Sequence, residues 1–304
     1  MQNFFDACQP YSTRLHTGHY SQAIDEGLAF LNRVKRSSPT DYETPKGAPF
    51  YLLGIAAFHT HDFQTATFLF DAAVSEDLHH YPGQEDKPAL LFMQLEDQNQ
   101  NQAALDIVKI AANKLQAVIN NYTTRDGSEP LTLPDVRRRF LKHVLDEKQP
   151  FLRTLTTAFI SFLLEWDYRS KLIDLSRAGS REPFFTHLLR GCLLFESLIK
   201  MEPTERVPKK ATLERLLSLS LLLDRLRIRK VARPPSTFDQ IVQSLVPNQC
   251  IQAAVECTYA TRNRLAHNLA LEAPTFDGDK YELLANNIAA SCLHAISCLY
   301  KRQQ

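Results

Sequence analysis

The chain has 304 residues, which is enough for two or three domains and a sizeable hydrophobic core. Hydrophobic residues make up 44% of it and charged residues 23%, an ordinary globular composition that excludes wholesale disorder and a membrane-embedded protein. Only nine of the 304 residues are glycine, well below the average glycine content of about 7%. Glycine-rich phosphate-binding loops are therefore not expected. The composition therefore predicts an all-α fold.

Cysteine usage and the apolar runs bear on cellular location. Six cysteines occur, none of them in a CxxC pair, and most fall within apolar helical patterns, where a free thiol behaves as a small hydrophobe. The first 13 residues lack the apolar centre of a secretion signal, and the longest apolar run, residues 151–166, is interrupted by Arg153. We expect a reduced, cytoplasmic protein that does not interact with membranes.

Residues 1–85 are interpreted as helical hairpins. Small and bulky apolar residues recur over residues 50–75 at the spacings of two closely packed helices, and a weaker copy covers residues 11–30. The pattern resembles one tetratricopeptide repeat, which implies a protein partner at the amino-terminal helices; a generic helical hairpin is the alternative. The residues of the pattern are Phe50, Leu53, Gly54, Ala57, Ala66, Phe70 and Ala73.

Residues 86–180 are interpreted as a helical bridge. Apolar residues from Leu105 to Ile119 recur near period 3.6, and we predict one long helix over residues 87–122. Pro134 and Pro150 predict two further helix starts, because proline is favoured in the first turn of a helix. The segment from Arg177 to Pro183 contains the glycine and proline typical of a helix end followed by a helix start, so we place a domain boundary there.

Residues 181–304 predict a helical bundle, because no strand-like alternation interrupts their helical patterns. This part carries 17 basic and 12 acidic residues, a net charge of +5, whereas residues 1–180 carry 18 and 22, a net charge of −4. The predicted helices cover residues 183–201, 211–226, 238–245, 250–267 and 280–302.

The most informative segment lies near the end of the fourth of these helices. At about 100° per residue, Arg262, Ala266, Asn263 and His267 fall at 0°, 40°, 100° and 140°, which makes one polar face around a small alanine. Such a face can admit a substrate or a second helix.

Arg262 also continues an apolar stripe of the same helix, through Val255 and Thr258, so it points toward packed surface. An arginine in that position requires an anion. The candidate is Glu196, the carboxylate in an otherwise apolar row of the first bundle helix, which would either serve structure or orient Arg262 for catalysis.

The carboxy-terminal part resembles a HEPN domain, a family of helical bundles whose motif is an arginine, usually a polar residue after it, and a histidine shortly downstream. The motif corresponds to Arg262, Asn263 and His267, with Asn268 beside the histidine, and residues 184–200 are similar to the family's first helix. The resemblance spans about residues 181–304. It implies metal-independent RNA cleavage by a homodimer, without metal or cofactor, in the manner of a toxin or antiviral effector.

The implied chemistry suits these side chains. A ribose 2′-hydroxyl can attack the adjacent phosphate when a base removes its proton, a cation holds the phosphate and an acid protonates the departing 5′-oxygen. His267 can take either proton role, Arg262 offers a planar fork to phosphate oxygens, and Asn263 can hold the imidazole or bind an oxygen. DNA lacks the nucleophile and would not be cleaved.

Two alternatives stay open. One is a non-enzymatic adaptor, in which the amino-terminal repeats bind a protein and the carboxy-terminal bundle dimerises or holds RNA. The other concerns a set of basic residues, which either contact RNA phosphates or are solvated cations near a helix end. These residues are Arg225, Arg227, Arg229, Lys230 and Arg264.

Overall fold

The computed structural model of the protein describes residues 2–96, 102–145, 150–173, 175, 180–202, 207–231, 235, 237–267 and 276–300, with all their side chains except those of 2–7 and 102–105. Within these ranges all regular secondary structure is helical and no strand occurs, which confirms the predicted all-α fold. By internal contacts the chain divides into two compact units, Met1–Ala111 with Val144–Glu147, and Ala112–His143 with Lys148–Gln304. The three-part division at residues 85 and 180 stays a prediction.

The first unit is built from short antiparallel helices. α4 packs along α5, α1 packs on α2, and α2 packs on α4. The Asp62 side chain accepts a hydrogen bond from the Thr65 backbone N–H and so caps the start of α5. Its core includes Phe70, whose ring centroid lies 4.0 Å from that of Phe92. The helices are α1 (Gln2–His16), α2 (Tyr20–Ser37), α3 (Pro39–Tyr42), α4 (Gly47–His59), α5 (Phe63–His80) and α6 (Pro88–Met93).

The single helix predicted over residues 87–122 is wrong. α6 ends at Met93, and Leu95 has a φ of +54°, a left-handed conformation that no α-helix continues through. The next helix, α7, covers Gln102–Thr123. The apolar residues that predicted the helix, from Leu105 to Ile119, all lie in α7, whereas residues 96–102 are polar and separate α7 from α6.

The second unit is a helical bundle with α15 at its centre. α9, α10, α12 and α14 all pack against α15, and nearly every residue of α15 from Tyr281 to Leu299 is buried. The predicted helix over residues 211–226 is wrong, because two short helices replace it, with a break at Leu217–Leu219. The helices after α7 are α8 (Leu133–Arg139), α9 (Pro150–Ile173), α10 (Glu182–Lys200), α11 (Leu213–Leu216), α12 (Ser220–Leu226), α13 (Phe238–Gln243), α14 (Ile251–Leu265) and α15 (Gly278–Leu299).

Close packing of α10 depends on a glycine. A Cβ at Gly191 would overlap the ring of Phe162 in α9 and lie 2.8 Å from Cγ2 of Ile288 in α15. Only a residue without a side chain lets three helices approach this closely. The position of α10, and of the charged residues on it, therefore depends on Gly191.

A buried histidine joins the same three helices. The Nε2 of His187 donates to the Phe162 carbonyl at 3.0 Å, which leaves Nδ1 to accept from the Tyr281 hydroxyl at 2.9 Å. The imidazole also stacks on the Phe162 ring, with the centroids 4.5 Å apart. Burial lowers the pKa of His187 to about 4, so this residue is a neutral structural group at physiological pH.

The start of α14 is held by a buried arginine and its neighbours. The Arg125 guanidinium is bonded to the Asn121 side chain, to the Gln249 carbonyl and, at 2.6 Å, to Oδ1 of Asn287. The Ile251 backbone N–H, the first of α14, donates to the Asp126 carbonyl at 2.9 Å. These bonds set where α14 begins, and therefore where its last turn lies.

None of the helices within the described ranges combines the length and the apolar run that crossing a membrane requires.

Candidate functional site

The three motif residues lie at the carboxyl end of α14. Arg262 and Asn263 belong to its last turn, and the helix ends at Leu265. Ala266 keeps a right-handed helical conformation, with φ −66° and ψ −21°, and the His267 backbone N–H reaches the Arg264 carbonyl at 3.4 Å. The helical register thus continues almost to His267, although this residue stands just past the helix rather than inside it.

The side chains of the motif are neither sealed in the bundle nor fully solvated. Arg262 and Asn263 are half-buried, whereas Ala266 and His267 are exposed. Arg262 follows the buried Val255 and Thr258 along the helix, as the apolar stripe predicts. Asn268, which the sequence places beside His267, lies outside the described residues.

Arg262 forms an ion pair with Glu196, the partner that the sequence nominates. Its Nε donates to Glu196 Oε2 at 3.0 Å, and the side chains are 24% and 7% exposed, respectively. Glu196 lies in α10 between buried residues, including Cys192 and Ile199. A carboxylate this deeply buried requires charge compensation, so Arg262 and Glu196 hold each other in place.

A second cation, Lys200, shares the same carboxylate. Its Nζ lies 2.6 Å from Glu196 Oε1, one helical turn away in α10, and its side chain is 22% exposed. Sequence reasoning missed Lys200, although the i, i+4 spacing of Glu196 and Lys200 is typical of a helical ion pair. Two cations on one carboxylate leave a net charge of +1, which favours an anionic ligand beside Arg262.

Much of the hydrogen-bonding capacity of the motif is unused within the described part of the chain. Only Nε of Arg262 donates there, so its Nη1 and Nη2 groups make no hydrogen bond to a described residue. The Asn263 amide and the His267 imidazole likewise have no hydrogen-bond partner among described residues. A planar donor fork, an amide and an imidazole are thus available to one ligand at the end of α14.

Arg264, which the sequence nominates for RNA contact, has a structural partner. Its Nε and Nη2 both donate to the Pro235 carbonyl, at 3.1 and 2.5 Å. The two bonds connect the end of α14 to the segment before α13. Part of the donor capacity of the Arg264 guanidinium is therefore used within the protein.

Two of the four basic residues around the end of α12 are also ion-paired. Arg225 Nη2 lies 2.9 Å from Oε2 of Glu202, whose side chain is fully buried, and Arg227 pairs with Glu129. Arg227 itself ends α12 in the left-handed conformation, with φ 52°. By contrast, Arg229 and Lys230 are exposed and form no ion pair with a described residue. Within this basic run, Arg229 and Lys230 are the cations available to a polyanion.

Next to Glu196, the outer face of α10 presents apolar surface. Leu193 is 42% exposed, one turn before Glu196 and Ser197, and Leu189 one turn earlier is half-buried. An exposed leucine alone is ordinary on a protein surface. Here it adjoins the charged cluster of Glu196, Lys200 and Arg262, so that cluster has an apolar border.

No His, Cys, Asp and Glu side chains of the described residues form a group of three or more that could hold a metal ion. Comparison with protein-family models, with curated proteins and with solved structures finds no match to the chain.

Proposed function

We propose that the protein is a metal-independent endoribonuclease in which Arg262, Asn263 and His267 act on a ribose-phosphate linkage. The observation that carries this proposal is the state of Arg262. One N–H of its guanidinium is anchored on the buried Glu196, while the terminal groups, the neighbouring amide and the exposed imidazole have no partner among described residues. A pre-positioned cation beside a proton-transfer group is what phosphate-ester cleavage requires.

In the proposed reaction the ribose 2′-oxygen forms a bond to phosphorus while its proton passes to an imidazole. The bond from phosphorus to the 5′-oxygen breaks, and that oxygen receives a proton from a second acid. The products are a 2′,3′-cyclic phosphate and a 5′-hydroxyl end. Arg262 stabilises the charge that builds on the phosphate oxygens, and Asn263 binds an oxygen or orients His267.

A symmetric homodimer supplies the second histidine. Support comes from the border of the site, because the exposed Leu193 and the half-buried Leu189 would be covered by a second copy. In this proposal the carboxy-terminal bundle is of the HEPN type, and the amino-terminal hairpins are of the tetratricopeptide type and bind a protein partner.

The test is cleavage of a single-stranded RNA of mixed sequence by the purified full chain in the presence of EDTA. We expect products with 2′,3′-cyclic phosphate ends, identified by mass spectrometry, and no cleavage of the all-deoxy analogue. His267→Ala should reduce the rate by about 100-fold or more. His79→Ala is the matched control, because His79 is also an exposed histidine and lies in α5.

Cleavage that requires a divalent metal, or that survives in the His267→Ala protein, would contradict the mechanism. The dimer is tested separately by sedimentation and by dilution. Specific activity should fall as the protein is diluted through the concentration range in which sedimentation shows dissociation.

The alternative function is a non-enzymatic adaptor that holds RNA or dimerises. The Glu196 cluster also favours the adaptor, because the ion pairs of Glu196 with Arg262 and Lys200 can serve only to join α10 to α14, with no catalytic role. An adaptor predicts RNA retention in a mobility-shift assay with no cleavage in any buffer. It also predicts that His267→Ala leaves the complex unchanged.

A further inference from the structure

The first unit contains a small cavity that the proposed ribonuclease chemistry does not use. It has a volume of about 220 Å³ and lies between the first turn of α4, the end of α5 and the start of α6. Its walls are apolar or aromatic except for one carboxylate, that of Asp77, and one ammonium, that of Lys87. The lining includes Gly47, Tyr51, Asp77, Tyr81, Lys87 and Pro88.

Asp77 is half-buried, and its carboxylate accepts no hydrogen bond from a described residue. The carboxylate lies against the α4 backbone, because a Cβ at Gly47 would be 2.0 Å from Asp77 Oδ1 and would displace it. Burial raises the pKa of Asp77 to about 6, and the residue is therefore still ionised at neutral pH. The positive end of α4 supports that charge.

Neighbouring cations do not neutralise Asp77. Lys46 is committed to the adjacent acid, because its Nζ lies 3.1 Å from Glu76 Oε2 and its backbone N–H donates to the same oxygen. Lys87 lowers the pKa of Asp77 through space but forms no ion pair with it. Within the described part of the chain, the carboxylate of Asp77 is therefore a hydrogen-bond acceptor without a donor.

The aromatic walls already attract an ammonium group. The Nζ of Lys87 lies 4.1 Å from the centroid of the Tyr81 ring, a cation–π contact on the rim of the cavity. Tyr51, which is buried, supplies a second aromatic surface. Aromatic faces beside one unpaired carboxylate are the two elements that recognise organic cations.

We propose that this cavity binds a primary ammonium group on a short alkyl stem. The ammonium donates to Asp77, and the stem packs against the tyrosine and proline walls. An anion is disfavoured by Asp77, and a divalent metal ion requires more oxygen ligands than one carboxylate provides. The volume is smaller than the roughly 300 Å³ at which drug-sized ligand pockets begin, so the ligand is a side-chain-sized group.

The ammonium has two possible sources, a free alkylamine or a lysine side chain of a peptide, and the experiment separates them. The full chain, labelled with ¹⁵N, is titrated at pH 7.5 with n-butylamine, with Nα-acetyl-lysine N-methylamide and with n-butanol as the neutral analogue. We expect saturable shifts of the Gly47 and Ala48 amide signals with both amines and none with n-butanol. Tighter binding of the lysine derivative indicates a peptide, and equal binding indicates a free amine.

Asp77→Asn should weaken amine binding at least 10-fold, whereas Asp41→Asn, at an exposed aspartate of α3, should leave it unchanged. Lys87→Ala should strengthen binding several-fold, because it removes a competing cation from the rim. Equal binding of n-butanol, or unchanged binding in Asp77→Asn, would overturn the proposal. Because these signals report the first unit, the result is independent of whether RNA is cleaved.

Discussion

The Nε of Arg262 lies 3.0 Å from Oε2 of Glu196, a residue 66 positions earlier in the chain. This bond sets the direction of the guanidinium and connects α14 to α10. Because Lys200 shares the carboxylate, the cluster can lose one cation and still keep Glu196 paired, but it cannot lose Glu196.

Replacing Glu196 should therefore affect both stability and activity. Glu196→Ala leaves two half-buried cations without an anion, and we expect a loss of about 2 kcal/mol in the free energy of unfolding. Trp166, the single tryptophan of the chain, lies in the second unit, so urea unfolding followed by its fluorescence is the measurement.

Glu196→Gln is the milder partner variant, because it keeps the shape and one acceptor oxygen. It should cost less stability than Glu196→Ala but still slow RNA cleavage, since Arg262 is held less firmly. Equal stability of all three proteins would show that the ion pair contributes nothing to the bundle.

Arg229 and Lys230 should account for part of any RNA affinity. Changing both to glutamine removes two exposed cations and should reduce the slope of log affinity against log salt by about 2, without unfolding the protein. Lys35→Gln with Arg36→Gln is the matched control, because it removes an adjacent exposed pair from α2. An unchanged slope in the Arg229/Lys230 variant would place the RNA contacts elsewhere.

Gly191→Ala should destabilise the bundle by about 1–3 kcal/mol, because the added methyl overlaps Phe162 and crowds Ile288. Ser197→Ala in the same helix is the control and should cost little, since this half-buried residue tolerates alanine and alanine favours helix. Thermal unfolding compares the two variants. An unchanged midpoint in Gly191→Ala would contradict the prediction, because it would mean that α9 and α15 move apart to admit the methyl group at no cost in stability.

The buried His187 should make the second unit sensitive to acid. Its pKa is lowered to about 4, so between about pH 6.5 and 4 the unfolded chain binds a proton that the folded chain does not, and stability falls as pH falls. From pH 8 to pH 5 this histidine alone removes about 2 kcal/mol. His187→Gln, which retains one donor and one acceptor, should lose this part of the pH dependence when Trp166 unfolding is compared between pH 8 and pH 5.

Asp77 should have the opposite effect on the pH dependence of stability, which it lowers as the pH rises. Its pKa is raised to about 6, so the folded protein holds the proton more tightly and the ionised carboxylate opposes folding above that pH. Asp77→Asn should therefore stabilise the ligand-free protein at pH 7.5 by roughly 1 kcal/mol, after allowance for partial solvent exposure. The gain should vanish near pH 4, which thermal unfolding at the two pH values can verify.

Helix starts were the part of the fold that local sequence specified best. Pro134, Pro150 and Pro183 each lie in the first turn of a helix, because proline lacks the N–H that the first turn leaves unbonded. Helix breaks inside apolar runs were specified poorly. The break at Leu217–Leu219 has leucines on either side, so apolar periodicity continues where the helix does not. The turn at Leu95 is different, because the polar residues 96–102 follow it and no apolar pattern spans the gap between α6 and α7.

The candidate site also has features that the sequence predicted and contacts that it did not. The grouping of Arg262, Asn263 and His267 on one polar face follows from the rotation of about 100° per residue in a helix, which is readable from sequence. Pairing rules for buried charges also nominated Glu196, but neither the sharing of that carboxylate by Lys200 nor the contact of Arg264 with the Pro235 carbonyl was foreseen.

The sequence by itself determined the helical class, most helix starts and the polar face at the end of α14, because these depend on interactions between near neighbours. Only the tertiary structure decided which cations are already paired, and which carboxylate, that of Asp77, is left facing a cavity. Such pairings join residues that are distant along the chain, and their free energy depends on burial, which exists only once the helices have packed.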